Sequence, residues 1–271
     1  IKSLSSALDN ISRPRAFVYD AFGKLIWKVD KSRSLSLSIF NSVDAYRYGY
    51  GSDSDERMQW SNLICNFRYE SLLVNSWKFL GDASYNRFRN SQGMVKTLGS
   101  TVNDVAVRSA IDEVTLHGMF SHNVRSFYFQ GGIKGRYARF NPATAQQIGG
   151  GLLTSGTRAG NHATDCITGS AHIQLEFEKK NKYDFRASGR VNCCRTNRLD
   201  ANENEVVFNP EAGLLARLNF CRAFGVEATA DWTVQYYHTL EGVPLGWPLD
   251  LIVPSDNQFG PEKATQYYAG M

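Results

Sequence analysis

Between Phe224 and Tyr237 the chain alternates with a period of two. Phe224, Val226, Ala228, Ala230, Trp232, Val234 and Tyr236 share one face, and Gly225, Glu227, Thr229, Asp231, Thr233, Gln235 and Tyr237 share the other. This is the period of an extended strand. The run is more than twice the usual strand of about five or six residues. A long strand with one apolar face and one wet face is what a transmembrane β-barrel demands.

The pattern recurs upstream. Phe17, Tyr19, Leu25, Trp27 and Val29 face away from Asp20, Lys24 and Lys28, and Leu35, Leu37, Ile39 and Val43 from Ser34, Ser36, Ser38 and Asp44. Leu63, Cys65, Phe67 and Tyr69 oppose Asn62, Asn66, Arg68 and Glu70, and Trp77, Phe79, Ala83 and Tyr85 oppose Lys78, Asp82 and Asn86. Further strands are predicted around Val114–Phe120, Phe127–Tyr137, Ile167–Phe177, Tyr183–Val191 and, more weakly, Phe208–Leu218. The final Tyr267–Met271 reads as a strand just begun, and no segment carries a helical period. The sum is an all-β, antiparallel arc of about ten or eleven strands.

Connections alternate in length. Short turns are expected near Asp30–Ser32, Val74–Ser76, His122–Arg125, Lys179–Asn181 and Phe220–Arg222. Long loops are expected near Tyr50–Arg57, Asn90–Asn103, Asn141–Thr164, Thr196–Glu205 and Leu240–Lys263, with Pro142, Gly149 to Gly151, Pro244, Pro248 and Pro254 gathered in them. Short turns at one end and long loops at the other are the rhythm of outer-membrane barrels. The apolar face places Trp27, Tyr69, Trp77, Phe120, Phe127, Phe177, Tyr183 and Phe224 beside the short turns, and Tyr19, Tyr85, Tyr137, Trp232 and Tyr236 toward the long loops. Two aromatic girdles flank an aliphatic belt. A soluble sandwich also alternates but has no reason to band its aromatics.

Composition fits without deciding. Hydrophobic residues make up 42% and mean hydropathy is −0.35, values that barrel strands dilute by half. The net charge of +4 lacks a basic stripe, which argues against nucleic acid as a partner. The five cysteines are odd in number and lack zinc spacing, and adjacent Cys193 and Cys194 read as ordinary strand-end residues. The polar face carries both signs of charge along whole strands, which a small filled barrel could not bury unpaired. A wide barrel is therefore expected, with residues 1–271 forming a partial barrel domain; Ile1 at the start and the abrupt end are read as marks of a fragment.

Several segments resemble TonB-dependent outer-membrane receptors. They are Ser12-Arg13-Pro14-Arg15-Ala16-Phe17-Val18-Tyr19-Asp20, Trp60-Ser61-Asn62 with Asn66-Phe67-Arg68-Tyr69, and Tyr137-Ala138-Arg139-Phe140-Asn141-Pro142. The strongest likeness is Gly246-Trp247-Pro248-Leu249-Asp250-Leu251-Ile252-Val253-Pro254, continuing through Phe259-Gly260-Pro261-Glu262-Lys263 to Gln266-Tyr267. The resemblance implies a barrel of about twenty-two strands, in the outer membrane of a gram-negative bacterium and embedded in its lipid. It also implies an amino-terminal plug domain, a TonB-contacting segment and complex, and import of a scarce nutrient such as a siderophore or oligosaccharide. The alternative reading is a passive porin, or a structural or adhesive barrel without energised transport.

No arrangement supports an enzyme or calls for a cofactor. His117, His122, His162, His172 and His238 are scattered without metal spacing, and Gly149-Gly150-Gly151 lacks the strand–loop–helix context and Lys of a phosphate loop. Glu227 and Asp231 read as wetted wall rather than a glycosidase pair. What remains is binding. Tyr46, Tyr48, Trp60, Phe88 and Tyr237 on the inward face, with loop residues Tyr50 and Trp247, are the candidate ligand contacts, since aromatic rings stack on ligands at little entropic cost.

Overall fold

The computed structural model describes residues 11–50, 54–98, 101–148, 163–179, 182–197, 206–221, 224–240, 251–255 and 260–271. The strands are β1 (Ile11–Lys28), β2 (Arg33–Tyr50), β3 (Ser54–Leu72), β4 (Trp77–Leu98), β5 (Thr101–Val124), β6 (Phe127–Ile148) and β7 (Thr164–Lys179). They continue as β8 (Tyr183–Asn197), β9 (Val206–Cys221), β10 (Phe224–Gln235), β11 (Tyr237–Leu240), β12 (Leu251–Pro254) and β13 (Glu262–Gly270). The only helical element among the described residues is a single 3₁₀ turn at Val74–Ser76.

β1 to β10 and β13 form one 11-stranded antiparallel sheet, each strand paired with the next, while β11 and β12 pair with each other apart from it. This is the antiparallel wall of a transmembrane β-barrel. β1 and β13 border it, each with one neighbour among the described residues.

The strands outrun the side-chain pattern. β5 has 24 residues, roughly 80 Å of chain at about 3.3 Å per residue, where about 9–11 residues cross a bilayer. The long loop expected at Asn90–Asn103 is instead a hairpin, with β4 and β5 paired until Leu98 faces Thr101. The loop expected at Tyr50–Arg57 shrinks likewise, because β2 reaches Tyr50 and β3 starts at Ser54. Pro142 lies inside β6 rather than in a loop. There the register slips, Arg108 facing Thr144 and Ala110 facing Asn141, so a bulge absorbs the residue that cannot donate to the ladder. Alternation reports which face meets apolar surroundings. The backbone ladder can continue beyond it wherever N–H and C=O find a neighbour.

Large apolar side chains stand open on the apolar face, among them Leu25, Phe127, Ile133, Phe208 and Leu214. The short-turn girdle packs in two runs: ring centroids lie 6.2 Å apart for Tyr69–Phe79 and 4.9 Å for Phe79–Phe120, then 4.5 Å for Phe127–Phe177 and 5.4 Å for Phe177–Tyr183. At the other end Tyr85 and Tyr137 donate their hydroxyls to Asp112 (2.7 Å) and Asp165 (3.0 Å). An aromatic ring thus meets the apolar belt while its polar tip is satisfied beyond it.

On the polar face, opposite charges meet across strands. Arg68 bonds Asp82 at 2.7 Å, Arg190 bonds Glu211 at 3.3 Å, and Arg217 pairs with Glu227. Each couple sits directly opposite in the register, so the wall neutralises itself row by row.

Candidate functional site

The site begins where β10 leaves its neighbour. The ladder between β10 and β9 ends at Trp232 opposite Ala212. Two residues on, the backbone N–H of Val234 is taken by the Glu211 carboxylate at 3.0 Å. β10 stays paired with β13 as far as Gln235, and the strand then breaks at Tyr236. Alternation places Tyr236 in the long-loop girdle, and the structure corrects this. Tyr236 is buried, and Asn209 Nδ2 on the polar face of β9 donates to its hydroxyl at 3.1 Å. A buried phenol is better served by an amide than by an apolar surround.

Beyond the break, the β11–β12 ribbon lies over the polar face. Ser255 donates its N–H to the Tyr236 carbonyl at 2.8 Å and accepts Thr196 Oγ1 from β8 at 2.8 Å on its own carbonyl. Tyr237 packs on Phe140 of β6 with centroids 5.4 Å apart, and the Arg136 guanidinium stands 4.2 Å over its ring. Arg136 also pairs with Glu113 (3.4 Å) and donates to Thr168 (3.3 Å), so the cation is held beneath the aromatic face. His238 contacts Glu262 at 2.9 Å through Nδ1 and Ser255 Oγ at 3.1 Å through Nε2. Under this cover, Ala138, Phe140, Cys166, Cys194 and Tyr236 form a buried cluster.

A cavity of about 800 Å³ adjoins the ribbon, lined by Lys134, Arg136, His172, Arg190, Tyr236 and Tyr237, among others. His117 and His172, scattered in the sequence, face each other here with rings 5.5 Å apart, and His117 lies 3.7 Å from Asp82. They sit on β5 and β7, the two strands that flank β6, where His117 faces Lys134 and His172 faces Gly132 in the register. No cluster of three metal-ligating side chains occurs among the described residues.

The expected ligand contacts are distributed as follows. Tyr46 and Trp60 meet edge-to-face at 5.9 Å across β2 and β3. Phe88 sits opposite Asn62 and Ile111, and Ile111 sits opposite Phe140, on which Tyr237 packs. Register therefore joins Phe88 to Tyr237 through Ile111 and Phe140. Tyr48 is half-buried opposite Glu56 on the same face. Tyr50 ends β2, with its side chain outside the described residues, and Trp247 lies outside them altogether, as do His162 and Gly149 to Gly151.

Sequence reasoning missed three polar residues beside the Tyr46–Trp60 pair. Asn90 and Gln92 are buried, and Asn90 Oδ1, both polar atoms of the Gln92 amide, and Glu56 Oε2 have no hydrogen-bond partner among the described residues. Burial without a partner is costly and calls for one. Burial raises the Glu56 carboxyl above its ordinary value, at a position well beyond the girdle. Nothing in the alternation separates these residues from wetted wall. The inward turn did leave a signal, the adjacent Tyr236-Tyr237-His238, which a strand with one apolar face does not need.

No protein-family model and no curated protein sequence matches the chain. Among solved structures, the chain is similar to BauA, the ferric preacinetobactin receptor from Acinetobacter baumannii, with a TM-score of 0.58 and 10% identity. That match covers 96% of this chain and 44% of BauA, so the chain spans less than half of that receptor's length. The ferric citrate transporter FecA in its unliganded form matches over 82% of this chain and 42% of its own, with 10% identity and a TM-score of 0.41. The translocator domain of autotransporter NalP from Neisseria meningitidis matches over 81% and 76%, with 12% identity and a TM-score of 0.35. At such identities the likeness to BauA establishes the barrel fold and nothing finer.

Proposed function

We propose that this chain is part of the barrel of a TonB-dependent receptor that brings a scarce nutrient, such as a siderophore or an oligosaccharide, across the outer membrane of a gram-negative bacterium. The observation that carries the reading is the built inner wall at the long-loop end. There, aromatic side chains and buried polar atoms that have no partner among the described residues lie on one face of a sheet too wide to fill itself. Tyr46, Trp60, Phe88 and Tyr237 supply flat surfaces, and Asn90, Gln92 and Glu56 supply hydrogen-bonding groups awaiting another molecule. Such a mixture orients a ligand by stacking and hydrogen bonds more than by charge. The sequence resemblance and the fold shared with a ferric-siderophore receptor point the same way. The reading includes no catalytic step.

Replacing Trp60 and Tyr237 together with alanine in the full-length protein tests it. Ligand binding weakens while the protein still assembles in the outer membrane. Unchanged affinity and uptake in the double variant remove these residues from the site. Energised import is tested separately, by uptake in cells lacking TonB. Uptake that persists there assigns the barrel to passive permeation.

A further inference from the structure

We propose that Cys166 and Cys194 are joined by a disulfide in the assembled protein, fixing the wall on which the inturned β11–β12 ribbon rests. The two residues are 28 apart in the chain, yet their Sγ atoms lie 3.5 Å from each other. Cys166 faces Thr196 and Cys194 faces Thr168, so the thiols are diagonal neighbours on one face of β7 and β8. Strand pairing places the two thiols on one face within contact. Diagonal neighbours start about 7–8 Å apart, so closing to the about 2.05 Å of an S–S bond takes a small backbone shift together with side-chain rotation.

The other cysteines are placed elsewhere. Cys193 adjoins Cys194 in sequence, but the period of two turns it to the opposite face, where its thiol contacts the Gly169 carbonyl at 3.4 Å. Cys65 lies on β3 and Cys221 at the exposed end of β9. The odd count therefore resolves into one pair and three single thiols. The pair is also placed to matter. Thr196, whose hydroxyl donates to the Ser255 carbonyl of the ribbon, contacts Cys166 Sγ at 3.9 Å and Cys194 Sγ at 4.0 Å.

The chemistry is thiol–disulfide exchange with a periplasmic oxidant that carries its own disulfide. One thiolate of the pair attacks that disulfide, forming a mixed disulfide and releasing one oxidant thiolate. The second thiolate then attacks the sulfur of its partner cysteine and displaces the other oxidant thiolate. Two protein thiols are oxidised, one oxidant disulfide is reduced to two thiols, and protons balance through solvent. Cys166 and Cys194 are only 1% and 4% exposed, so exchange precedes closure of the ribbon. The proposal rests on the outer-membrane reading, because that location supplies the oxidising compartment.

The test uses full-length protein recovered from fractionated membranes, denatured without reductant, alkylated and mapped by mass spectrometry. A peptide linking Cys166 to Cys194 is expected, with Cys65, Cys193 and Cys221 alkylated. C166S and C194S should each expose the surviving partner to the reagent. Protein in the outer-membrane fraction with both thiols alkylated, or with either one bonded to Cys193, overturns the disulfide and leaves the location standing. Protein confined to the cytoplasmic fraction overturns the location, and the disulfide with it.

Discussion

The polar face is built in two ways. Across β1–β3, Phe22 faces Phe40 and Phe40 faces Ile64, an apolar row on the wetted side, with Phe22 and Ile64 68% and 41% exposed. Across β6–β9 the same side bears Arg136, His172, Arg190 and Glu211, yet it holds the buried cluster of Ala138, Phe140, Cys166 and Cys194. The apolar row lies open while the charged region contains a core. The difference is the β11–β12 ribbon, which lies on the second region. Composition of a strand face therefore does not decide burial on this sheet. What packs against the face does.

Phenylalanine truncation separates the two regions most sharply. Phe140→Ala should cost ~3 kcal/mol in equilibrium unfolding in detergent, the usual loss for a buried ring. Phe22→Ala should cost less than ~1 kcal/mol by the same measurement, since little burial is lost. Equal costs would mean that the ribbon does not cover Phe140 in solution, or that Phe22 has a partner of its own.

Glycines give a second, smaller contrast. A Cβ on Gly132 would stand 2.5 Å from the Gly118 carbonyl oxygen and 2.9 Å from His172 Cε1, whereas one on Gly23 meets nothing within 4 Å. Gly132→Ala should lower stability by about 1–3 kcal/mol through forced backbone shifts, and Gly23→Ala should be neutral or slightly stabilising. A neutral Gly132→Ala would show that β5 and β6 separate more easily than their register implies.

The ribbon's hold on the wall can be probed without disturbing the cluster. Arg136→Gln removes the cation over Tyr237 and should weaken the ribbon by about 1 kcal/mol. The readout is faster amide exchange in Tyr237–Leu240, with exchange in β2 unchanged. A uniform rise across the sheet would assign Arg136 to the wall, through Glu113 and Thr168, rather than to the ribbon.

The smallest expected effect is at the other end, in the β1–β2 turn. Asp30 accepts hydrogen bonds from the Ser32 and Arg33 amides and from the Arg33 side chain, and these bonds, that from the guanidinium foremost, hold its carboxyl well below the usual carboxylate range. A depressed folded value contributes stability above the unfolded value, lost as pH falls through the folded one. Amide protection at Ser32 and Arg33 should therefore persist at neutral pH and fade in strong acid. Asp30→Asn should show no such pH dependence, and matching profiles would remove Asp30 from control of the turn.

Much of the fold was legible because a period of two is written by the surroundings of each face. Apolar neighbours on one side and polar ones on the other marked the strands and the two aromatic girdles, Tyr236 excepted. Tyr46 and Trp60 were also legible as inward-facing residues, since both fall on the polar phase, but their meeting was not, since it depends on the β2–β3 register. The hairpin at Asn90–Asn103 was not, because backbone pairing there needs no particular side chain. Nor was the partnerless burial of Asn90 and Gln92, which read as any wetted wall residue would.

Sequence alone thus determined the local conformation and the facing of the residues in the alternating stretches, because one residue's shift in register would turn such a stretch inside out. Tertiary structure alone decided where the chain leaves that rule. At Tyr236 the ladder to β9 has ended, Glu211 takes the freed N–H of Val234, and an aromatic in the apolar phase turns to the polar side to meet Asn209. It also brought His117 to His172 and Cys166 to Cys194. Contacts between residues far apart in sequence depend on which strands become neighbours and in what register, and no local period encodes that.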